Sequence, residues 1–301
     1  MAPGSLAFAA PLREDGAVPA SAPLVSTVIP TYNRRDDVRI AIRSALAQTY
    51  PHQEILVVDD GSTDDTVAVL GREFGDRIRI LGKANGGVYS ARNHGMAAAR
   101  GELIALLDSD DEWLPEKLAA QVEFLTAHPD FGMVITDVAR MDEQRRDYEI
   151  FRRRELIPED GHVLPWVLRN PALAPASAML RRTVYEDVGG FDTGLRTAED
   201  LDFHLPVALR WKIGVIERPL TRAMRGHQGL SALARTYHDY MIVVERFVRD
   251  HRGEIPEVDR KAALLMAYTR NARGLLWDGD YRGALRLSAQ STLMVQGMSD
   301  A

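Results

Sequence analysis

The first half of this 301-residue chain alternates short apolar segments with longer segments in which apolar residues recur at helical spacing. The short segments are rich in Val, Ile and Leu and are too brief for buried helices, which indicates strands. They lie at 24–29, 54–58, 77–81 and 102–107. The segments of helical periodicity lie at 36–46, 64–73 and 88–100. This alternation predicts an α/β fold with a mostly parallel sheet flanked by helices.

Polar loops follow three of the predicted strands directly, at 30–33, 59–62 and 108–111. In open parallel sheets, ligands bind beyond the carboxyl ends of the strands. We therefore expect the three loops to converge on one crevice.

The second half of the chain is less regular. Short apolar segments predict strands at 133–136, 178–180 and 213–216, and helical spacing predicts a helix at 199–209. From Tyr237 onward helical periodicity dominates, which predicts a helical C-terminal appendage.

The composition excludes several classes of protein. With 37 basic and 43 acidic residues the net charge is -6, so no overall positive field attracts nucleic acid, and no nucleic-acid partner is predicted. The absence of cysteine excludes disulfides, thiolate metal sites and a cysteine nucleophile, and it suits a reducing compartment. No apolar stretch approaches the ~20 residues of a membrane-spanning helix. We predict a cytoplasmic protein and leave open a peripheral association with the inner face of the membrane.

Three carboxylates are crowded into four positions, at Asp108, Asp110 and Asp111. Unpaired, they would repel one another, and a divalent cation would relieve that repulsion. Mg²⁺ takes one or two protein carboxylates and completes its shell with water and substrate phosphate. The alternative is a solvated acidic turn that caps the following helix, and the spacing alone leaves both interpretations open.

Other polar motifs also admit ordinary structural interpretations. The segment 59–64 fits an Asp-Gly turn followed by a Ser or Thr N-cap. Glu199 and Asp200 open a predicted helix, where the helix dipole favours carboxylates. His227 lies in a glycine-flanked loop, either as a metal or phosphate contact or as a solvated histidine. The sequence has neither the spaced third glycine of a dinucleotide fingerprint nor a Walker A motif, so a Rossmann dehydrogenase is disfavoured.

Taken in order, the motifs of this chain resemble those of the family 2 glycosyltransferases, which have the GT-A fold. The first-half motifs are Val28–Asn33, Gln48–Tyr50, Val57–Asp64, Asn85–Gly87, Ala91–Asn93, Gly101–Ile104 and Leu107–Asp111. Further along, Gly189–Asp192, Ala198–Asp202 and Arg225–Ser231 fit the same pattern. The resemblance covers residues 24–231, and the order of so many motifs makes coincidence improbable.

The resemblance implies an inverting enzyme that moves a sugar from a nucleotide-diphosphate sugar to a hydroxyl acceptor, in surface glycan, polysaccharide or glycoconjugate synthesis. The donor would be a UDP-, GDP- or dTDP-sugar, the acceptor a glycan, a lipid-linked or another hydroxyl compound, and the cofactor a divalent cation, Mn²⁺ or Mg²⁺. The expected organisation is a mobile leader at 1–23, a GT-A domain at 24–235 and the helical appendage at 236–301. We expect the appendage to affect solubility before chemistry. Donor sugar, acceptor identity, linkage and oligomeric state are not predicted.

The resemblance also assigns roles to individual residues. Asp200 matches the general base, Asp110 the metal ligand, and His227 a histidine that helps some members close over metal and diphosphate. Asp108 would approach the ribose or the sugar. Pro30, Tyr32 and Asp60 would hold the nucleotide base, with Asp59 close by. Asn85 and Arg92 would flank the nucleotide-sugar. The other residues expected to bind it are Asn33, Ser109 and Glu199.

One position departs from the family pattern. Pro206 falls where members continue an aromatic-rich helix, and we expect it to kink or end that helix.

Three other functions predict different features. A sugar nucleotidyltransferase would carry a glycine-rich, basic loop after its first strand. A haloacid-dehalogenase phosphohydrolase would carry its aspartate pair after its first strand. A non-catalytic carbohydrate-binding protein would use the same acids only as capping turns. The cluster Arg152–Arg154 suits an acceptor phosphate, but an exposed arginine run is usually a solvated face.

Overall fold

The four strands predicted in the first half form one parallel layer in the order β3-β2-β1-β4. They are β1 (Val25–Thr31), β2 (Gln53–Asp59), β3 (Arg79–Gly82) and β4 (Leu103–Leu106). The computed structural model describes residues 22–151, 160–169, 173–195, 197–224 and 235–296. Residues 1–21 of the expected leader, the cluster Arg152–Arg154 and His227 lie outside the described residues.

Three helices make the crossovers between these parallel strands, as the periodicity predicts. They are α1 (Arg35–Leu46), α2 (Thr66–Phe74) and α3 (Val88–Ala98). Parallel neighbours need such crossovers because a tight hairpin can join only antiparallel strands. The α/β class expected from the sequence is confirmed.

The second half extends the same sheet with pairings of both directions. Its strands are β5 (Glu112–Trp113), β6 (Phe131–Met141), β7 (Asp147–Phe151), β8 (Ala178–Arg181) and β9 (Lys212–Met224). The full order is β3-β2-β1-β4-β8-β6-β9-β5, with β7 paired to β6. β6 and β9 are parallel, whereas β8 is antiparallel to both β4 and β6. The sheet is therefore parallel as far as β4 and mixed beyond it, and hydrophobic periodicity does not encode this change of strand direction.

Seven further helices cover the sheet and form the C-terminal part of the described chain. They are α4 (Lys117–Ala127), α5 (Leu164–Val167), α6 (Arg182–Val188), α7 (Glu199–Arg210), α8 (Arg235–Asp250), α9 (Glu257–Trp277) and α10 (Tyr281–Gln296). α7 does not end at Pro206, which was one of the two effects expected of this proline, but runs on to Arg210, although a proline there removes one backbone hydrogen bond. Burial of the flanking Leu205 and Val207 offsets that loss. Among the described residues, none of the helices is both long and apolar enough to cross a bilayer.

The core lies on both faces of the sheet because the central strands are buried on both faces along most of their length. In β1, Val28 faces one hydrophobic cluster while Val25 and Ile29 face the other, and in β2 Val58 and Val57 divide in the same way. Helices α3, α7, α8 and α9 contribute to the first cluster, and α1, α2 and α4 to the second. Period-two alternation between two buried faces explains why these strands read as continuous apolar runs.

Candidate active site

The loops that follow β1, β2 and β4 meet at one edge of the sheet, as expected from the sequence. The side-chain Oδ1 of Asn33 accepts a hydrogen bond from the backbone N–H of Thr63 at 2.8 Å, and the N–H of Asn33 donates to Ser62 Oγ at 2.9 Å. Arg34 Nη1 lies 2.5 Å from Asp110 Oδ2. Asn33 has a φ of 48°, in the left-handed region that asparagine tolerates better than most residues. These contacts join the three loops into one crevice.

The two consecutive aspartates at the end of β2, Asp59 and Asp60, are both buried but differ in their hydrogen bonds. Asp60 accepts from the backbone N–H of Gly86 at 3.1 Å and of Gly87 at 2.7 Å, and Lys83 Nζ lies 2.5 Å from its Oδ1. Asp59 uses Oδ2 to accept from Ser62 N–H at 3.1 Å, whereas its buried Oδ1 has no hydrogen-bond partner within the described part of the chain. A buried unsatisfied oxygen costs about 1–3 kcal/mol. The hydrogen-bonding capacity of Asp59 Oδ1 is therefore not used by the described residues.

The other residues expected around the base lie at different depths. Pro30 is buried within β1, Tyr32 is 45% exposed beyond the end of that strand, and Asn85 is exposed in the loop before α3. Gly61 has a φ of 79°, and a Cβ at this position would lie 2.9 Å from the backbone nitrogen of Asn85. Glycine at 61 thus permits the close approach of the two loops.

Helix α3 contributes a buried arginine to the crevice. The Arg92 side chain is 6% exposed and forms an ion pair with Asp108. Its guanidinium carbon lies 5.8 Å from the ring centre of Tyr89 and 5.4 Å from that of Phe191. A buried cation needs such partners because desolvation is otherwise costly.

The motifs at 91–93 and 189–192 dock onto one another. Asn93 Nδ2 donates to the carbonyl of Phe191, and the N–H of Phe191 donates to Asn93 Oδ1, both at 2.8 Å. A Cβ on Gly190 would collide with the Asn93 side chain, so this position needs glycine. The Phe191 ring then stacks on Phe203 of α7 with centroids 4.5 Å apart. This chain of contacts connects α7 to the loop that carries Asp108.

The carboxylates at 108–111 each have a separate partner, which corrects the expectation of mutual repulsion. Asp108 pairs with Arg92 and Asp110 with Arg34, while buried Asp111 accepts a hydrogen bond from the backbone N–H of Met224 at 2.9 Å. The neighbouring Ser109 is buried. Asp111 therefore ties the loop to the end of β9, while Asp108 faces an arginine of α3 and Asp110 an arginine of the loop after β1.

Asp108 and Asp110 are the carboxylates of this loop that are accessible to a divalent cation. Their side chains are 27% and 19% exposed, whereas Asp111 is buried. Over the described ranges, no group of three or more His, Asp or Glu side chains is placed to hold a metal ion. One carboxylate completed by diphosphate and water is nevertheless the set that Mg²⁺ accepts in nucleotide enzymes. The residues present therefore fit a metal that arrives with its substrate.

Asp200 lies in the first turn of α7, directly after Glu199, the first residue of the helix. The residue before the helix is Ala198, a non-glycine residue with a φ of 67°, and no side-chain cap bond is found at this helix start among the described residues. Asp200 Oδ1 accepts from Leu201 N–H at 2.8 Å and from the Tyr240 hydroxyl of α8 at 3.4 Å. Asp200 is thus not the N-cap of α7, although the helix dipole still favours a carboxylate at this position in the first turn.

Comparison with known proteins assigns the chain to a family. A sequence model described as Glycosyl transferase family 2 matches residues 26–189, which is more than half of the chain. The chain belongs to this family of glycosyltransferases.

Two curated relatives illustrate the similarity. An uncharacterised glycosyltransferase of Rickettsia conorii is 34% identical over 296 residues, covering 92% of this chain and 46% of the relative. The Escherichia coli UDP-Glc:alpha-D-GlcNAc-diphosphoundecaprenol beta-1,3-glucosyltransferase WfaP is 41% identical over 104 residues, covering 34% of this chain and 41% of WfaP. The chain spans between 30% and 57% of the length of the first curated relatives that it matches.

Solved structures share the fold. S. aureus TarS 1–349 in complex with UDP-GlcNAc has a TM-score of 0.66 and 22% identity, over 83% of this chain and 72% of TarS. The mannosyltransferase PcManGT from Pyrobaculum calidifontis, in complex with GDP-Man and Mn²⁺, has a TM-score of 0.59 and 20% identity, over 92% of this chain and 81% of PcManGT. The GT-A fold expected from the sequence is confirmed.

Sequence reasoning missed four residues that contact the predicted site. Arg34 could have been found, because it directly follows the Tyr32-Asn33 pair. Lys83 lies beside the motif Asn85–Gly87 and Phe191 within the motif Gly189–Asp192, but neither motif indicates the contacts that these two residues make. Tyr240 lies in the helical C-terminal stretch, and no local pattern indicates its contact with Asp200, 40 positions away.

Proposed function

We propose that this chain is an inverting glycosyltransferase that transfers a sugar from a nucleoside-diphosphate sugar to a hydroxyl acceptor in the synthesis of a cell-surface glycan. The observation that carries the proposal is the crevice itself. The crevice brings together Asp59, which has an unsatisfied oxygen, and the two aspartates that pair with arginines, Asp108 and Asp110. Packing contacts through Phe191 connect the crevice to α7, the helix of Asp200. Family membership supports the reaction class, and WfaP, named as a transferase to a diphosphoundecaprenol-linked sugar, supports a lipid-linked glycan acceptor.

The donor would lie across the carboxyl ends of β1, β2 and β4. Tyr32 offers an exposed ring for stacking on a base, and Asp59 Oδ1 can accept from a base N–H. Asp60 already receives three donors from its own chain, so it would shape the base pocket through Gly86 and Gly87. TarS with UDP-GlcNAc and PcManGT with GDP-Man support a nucleotide-sugar as donor.

The diphosphate of the donor would lie over the loop at 108–111. Arg34 and Arg92 already approach the carboxylates there, so both could turn toward phosphate oxygens. We infer that Asp110 holds a divalent cation, and the Mn²⁺ of PcManGT supports this choice. When bound, the cation neutralises charge on the leaving diphosphate. His227 remains a candidate second ligand and Asn85, Asn33 and Ser109 candidate contacts of the nucleotide-sugar.

Asp200 would act as the general base. Its carboxylate takes the proton of the acceptor hydroxyl while the acceptor oxygen bonds to the anomeric carbon. The bond from that carbon to the diphosphate oxygen breaks at the same time, and the nucleoside diphosphate leaves with the electron pair. Attack from the face opposite the leaving group inverts the anomeric configuration. General-base catalysis of this kind contributes about 10²–10⁴-fold to the rate.

The proposal is tested with a panel of UDP-, GDP- and dTDP-sugars, each with and without Mn²⁺. One donor should raise the melting temperature, since a ligand at about one hundred times its Kd stabilises by roughly 2.7 kcal/mol. The same donor should release its nucleoside diphosphate, and a chelator should abolish that release. Failure of every donor to bind or react would contradict the proposed function, whereas full release in excess chelator would contradict only the metal.

A further inference from the structure

One helix of the C-terminal appendage, α8, contacts the segment that carries Asp200 at several points. Asp239 Oδ2 accepts a hydrogen bond from Thr197 Oγ1 at 2.6 Å, and both residues are buried. The Tyr240 hydroxyl lies 3.4 Å from Asp200 Oδ1. These two contacts lie one residue apart on α8 and reach the segment just before and at Asp200.

Arg246 extends the contact to the other side of Asp200. Its Nη1 donates to Asp192 Oδ2 at 3.2 Å, and its Nη2 donates to Asp202. Burial raises the pKa of Asp202, and the nearby Arg246 opposes that rise. Arg246 thus holds the largely buried carboxylate of Asp202, two residues after Asp200. It also contacts Asp192, which precedes Thr197 in the chain.

The spacing of Asp239 and Arg246 along α8 explains how one helix contacts residues on both sides of Asp200. Asp239 and Arg246 are seven residues apart, which places them on one face of the helix, about 10 Å from each other along the axis. Residues 197 and 202 of the facing segment are therefore fixed from the same side, with Asp200 between them. Asp202 is held by Arg246, and Asp200 lies between the two contacts that α8 makes through Asp239 and Arg246.

The backbone of the segment needs such support. Ala198 has a φ of 67°, a left-handed conformation that an alanine adopts only at a cost in free energy. Strained residues of this kind persist where the surrounding structure fixes them. The buried bond between Thr197 and Asp239 lies immediately beside Ala198 and supplies that constraint.

We propose that α8 positions the catalytic base, with Tyr240 and Arg246 as positioning residues that orient Asp200. This inference rests on the proposed function for the role of Asp200. It revises the expectation that the appendage affects solubility before chemistry, because a helix beyond the family match at 26–189 then forms part of the active site.

Kinetics of matched tyrosine variants test the inference. Tyr240→Phe keeps the ring and removes the hydroxyl, so kcat should fall about tenfold while KM for the donor stays within twofold. Tyr268→Phe is the control, since it also removes a tyrosine hydroxyl, but one whose hydrogen bond is to Glu245 within the appendage. It should leave both kcat and KM unchanged.

Arg246 variants add a rescue experiment. Arg246→Met removes both ion pairs and should lower kcat more than Tyr240→Phe does. Arg246→Lys keeps one charge for Asp202 and should recover part of the loss. Equal kcat in wild type, Tyr240→Phe and Arg246→Met would overturn the inference, and so would a loss confined to donor KM.

Hydrogen exchange measured by mass spectrometry separates this inference from the proposed function. Peptides covering 197–203 should exchange faster in Tyr240→Phe and in Arg246→Met, but not in Tyr268→Phe. This readout needs no turnover, so it stands even if wild type accepts no nucleotide-sugar, a result that would sink the proposed function alone. Unchanged exchange in both variants would show that α8 does not hold the segment. If Arg246→Met fails to fold, Tyr240→Phe decides the question.

Discussion

Gly95 of α3 packs directly on the central strands, and its replacement by alanine should destabilise the protein. A Cβ at this position would collide with a methyl group of Val28 and lie 3.0 Å from a methyl carbon of Val58. Both valines are completely buried, and β-branched side chains have little freedom to turn away. The helix must therefore move off the sheet or the strands must shift.

The magnitude follows from two opposing effects. Alanine is about 1 kcal/mol better than glycine within a helix. Overpacking a buried site costs about 1–3 kcal/mol, and two rigid neighbours place this site in the upper half of that range. The net expectation is that Gly95→Ala lowers the free energy of unfolding by about 1–2 kcal/mol. Because α3 also carries Arg92 and Asn93, donor binding should weaken as well.

Gly71 of α2 provides the matched control. It lies inside a helix too, but a Cβ there would meet nothing within 4 Å. Gly71→Ala should therefore raise the free energy of unfolding by about 0.5–1 kcal/mol. Urea unfolding at 25 °C measures both variants against wild type. A Gly95→Ala variant as stable as Gly71→Ala would refute the packing argument.

Three further predictions concern individual side chains. Ala198→Gly should stabilise the protein by about 1 kcal/mol in urea unfolding, because glycine adopts a positive φ without strain, and lower stability would contradict the left-handed assignment. Lys117 is completely buried and hydrogen-bonded to Gln121, and burial holds its pKa well below the ordinary 10.5. Between the lowered pKa and 10.5, the unfolded chain therefore binds more protons than the folded one. The free energy of unfolding of wild type, relative to that of Lys117→Met, should rise with pH across that window by at most about 1.4 kcal/mol per pH unit. A difference independent of pH would show that Lys117 keeps its charge. Arg34→Met should raise the affinity of the donor-free protein for Mn²⁺ by up to about fivefold, because the partly exposed ion pair of Arg34 with Asp110 is worth about 0–1 kcal/mol. A paramagnetic-resonance titration measures this affinity, and unchanged binding would place the metal elsewhere.

The periodicity of the sequence predicts the fold well in its first half. β1, β2 and β4 are buried on both faces and leave a continuous apolar signal, and each is followed by a loop whose polar residues meet at one edge. The directions of β8 and β9 leave no such signal, because alternation is the same in parallel and antiparallel strands. Short segments such as β5 and β7 carry too few residues to establish a period.

The partners of the site residues were harder to predict than the residues themselves. Crowded aspartates suggest repulsion when arginines distant in sequence are not considered, and Arg34 lies 76 positions from Asp110. A lysine in the first turn of α4 is expected in solvent, yet Lys117 is buried with its Nζ 4.0 Å from the centre of the Trp113 ring. Such contacts depend on tertiary packing, which local spacing does not contain.

The most direct test of the account is to compare donor binding and sugar transfer in Asp200→Asn. Asparagine keeps the size of the side chain and one accepting oxygen but does not take a proton from the acceptor. Transfer should fall by about 10²–10⁴-fold, while the donor should raise the melting temperature as much as in wild type. Asp250→Asn, at the exposed end of α8, is the control and should behave as wild type. Transfer near the wild-type rate in Asp200→Asn would contradict Asp200 as the base, and loss of donor binding would move this residue into the nucleotide site instead.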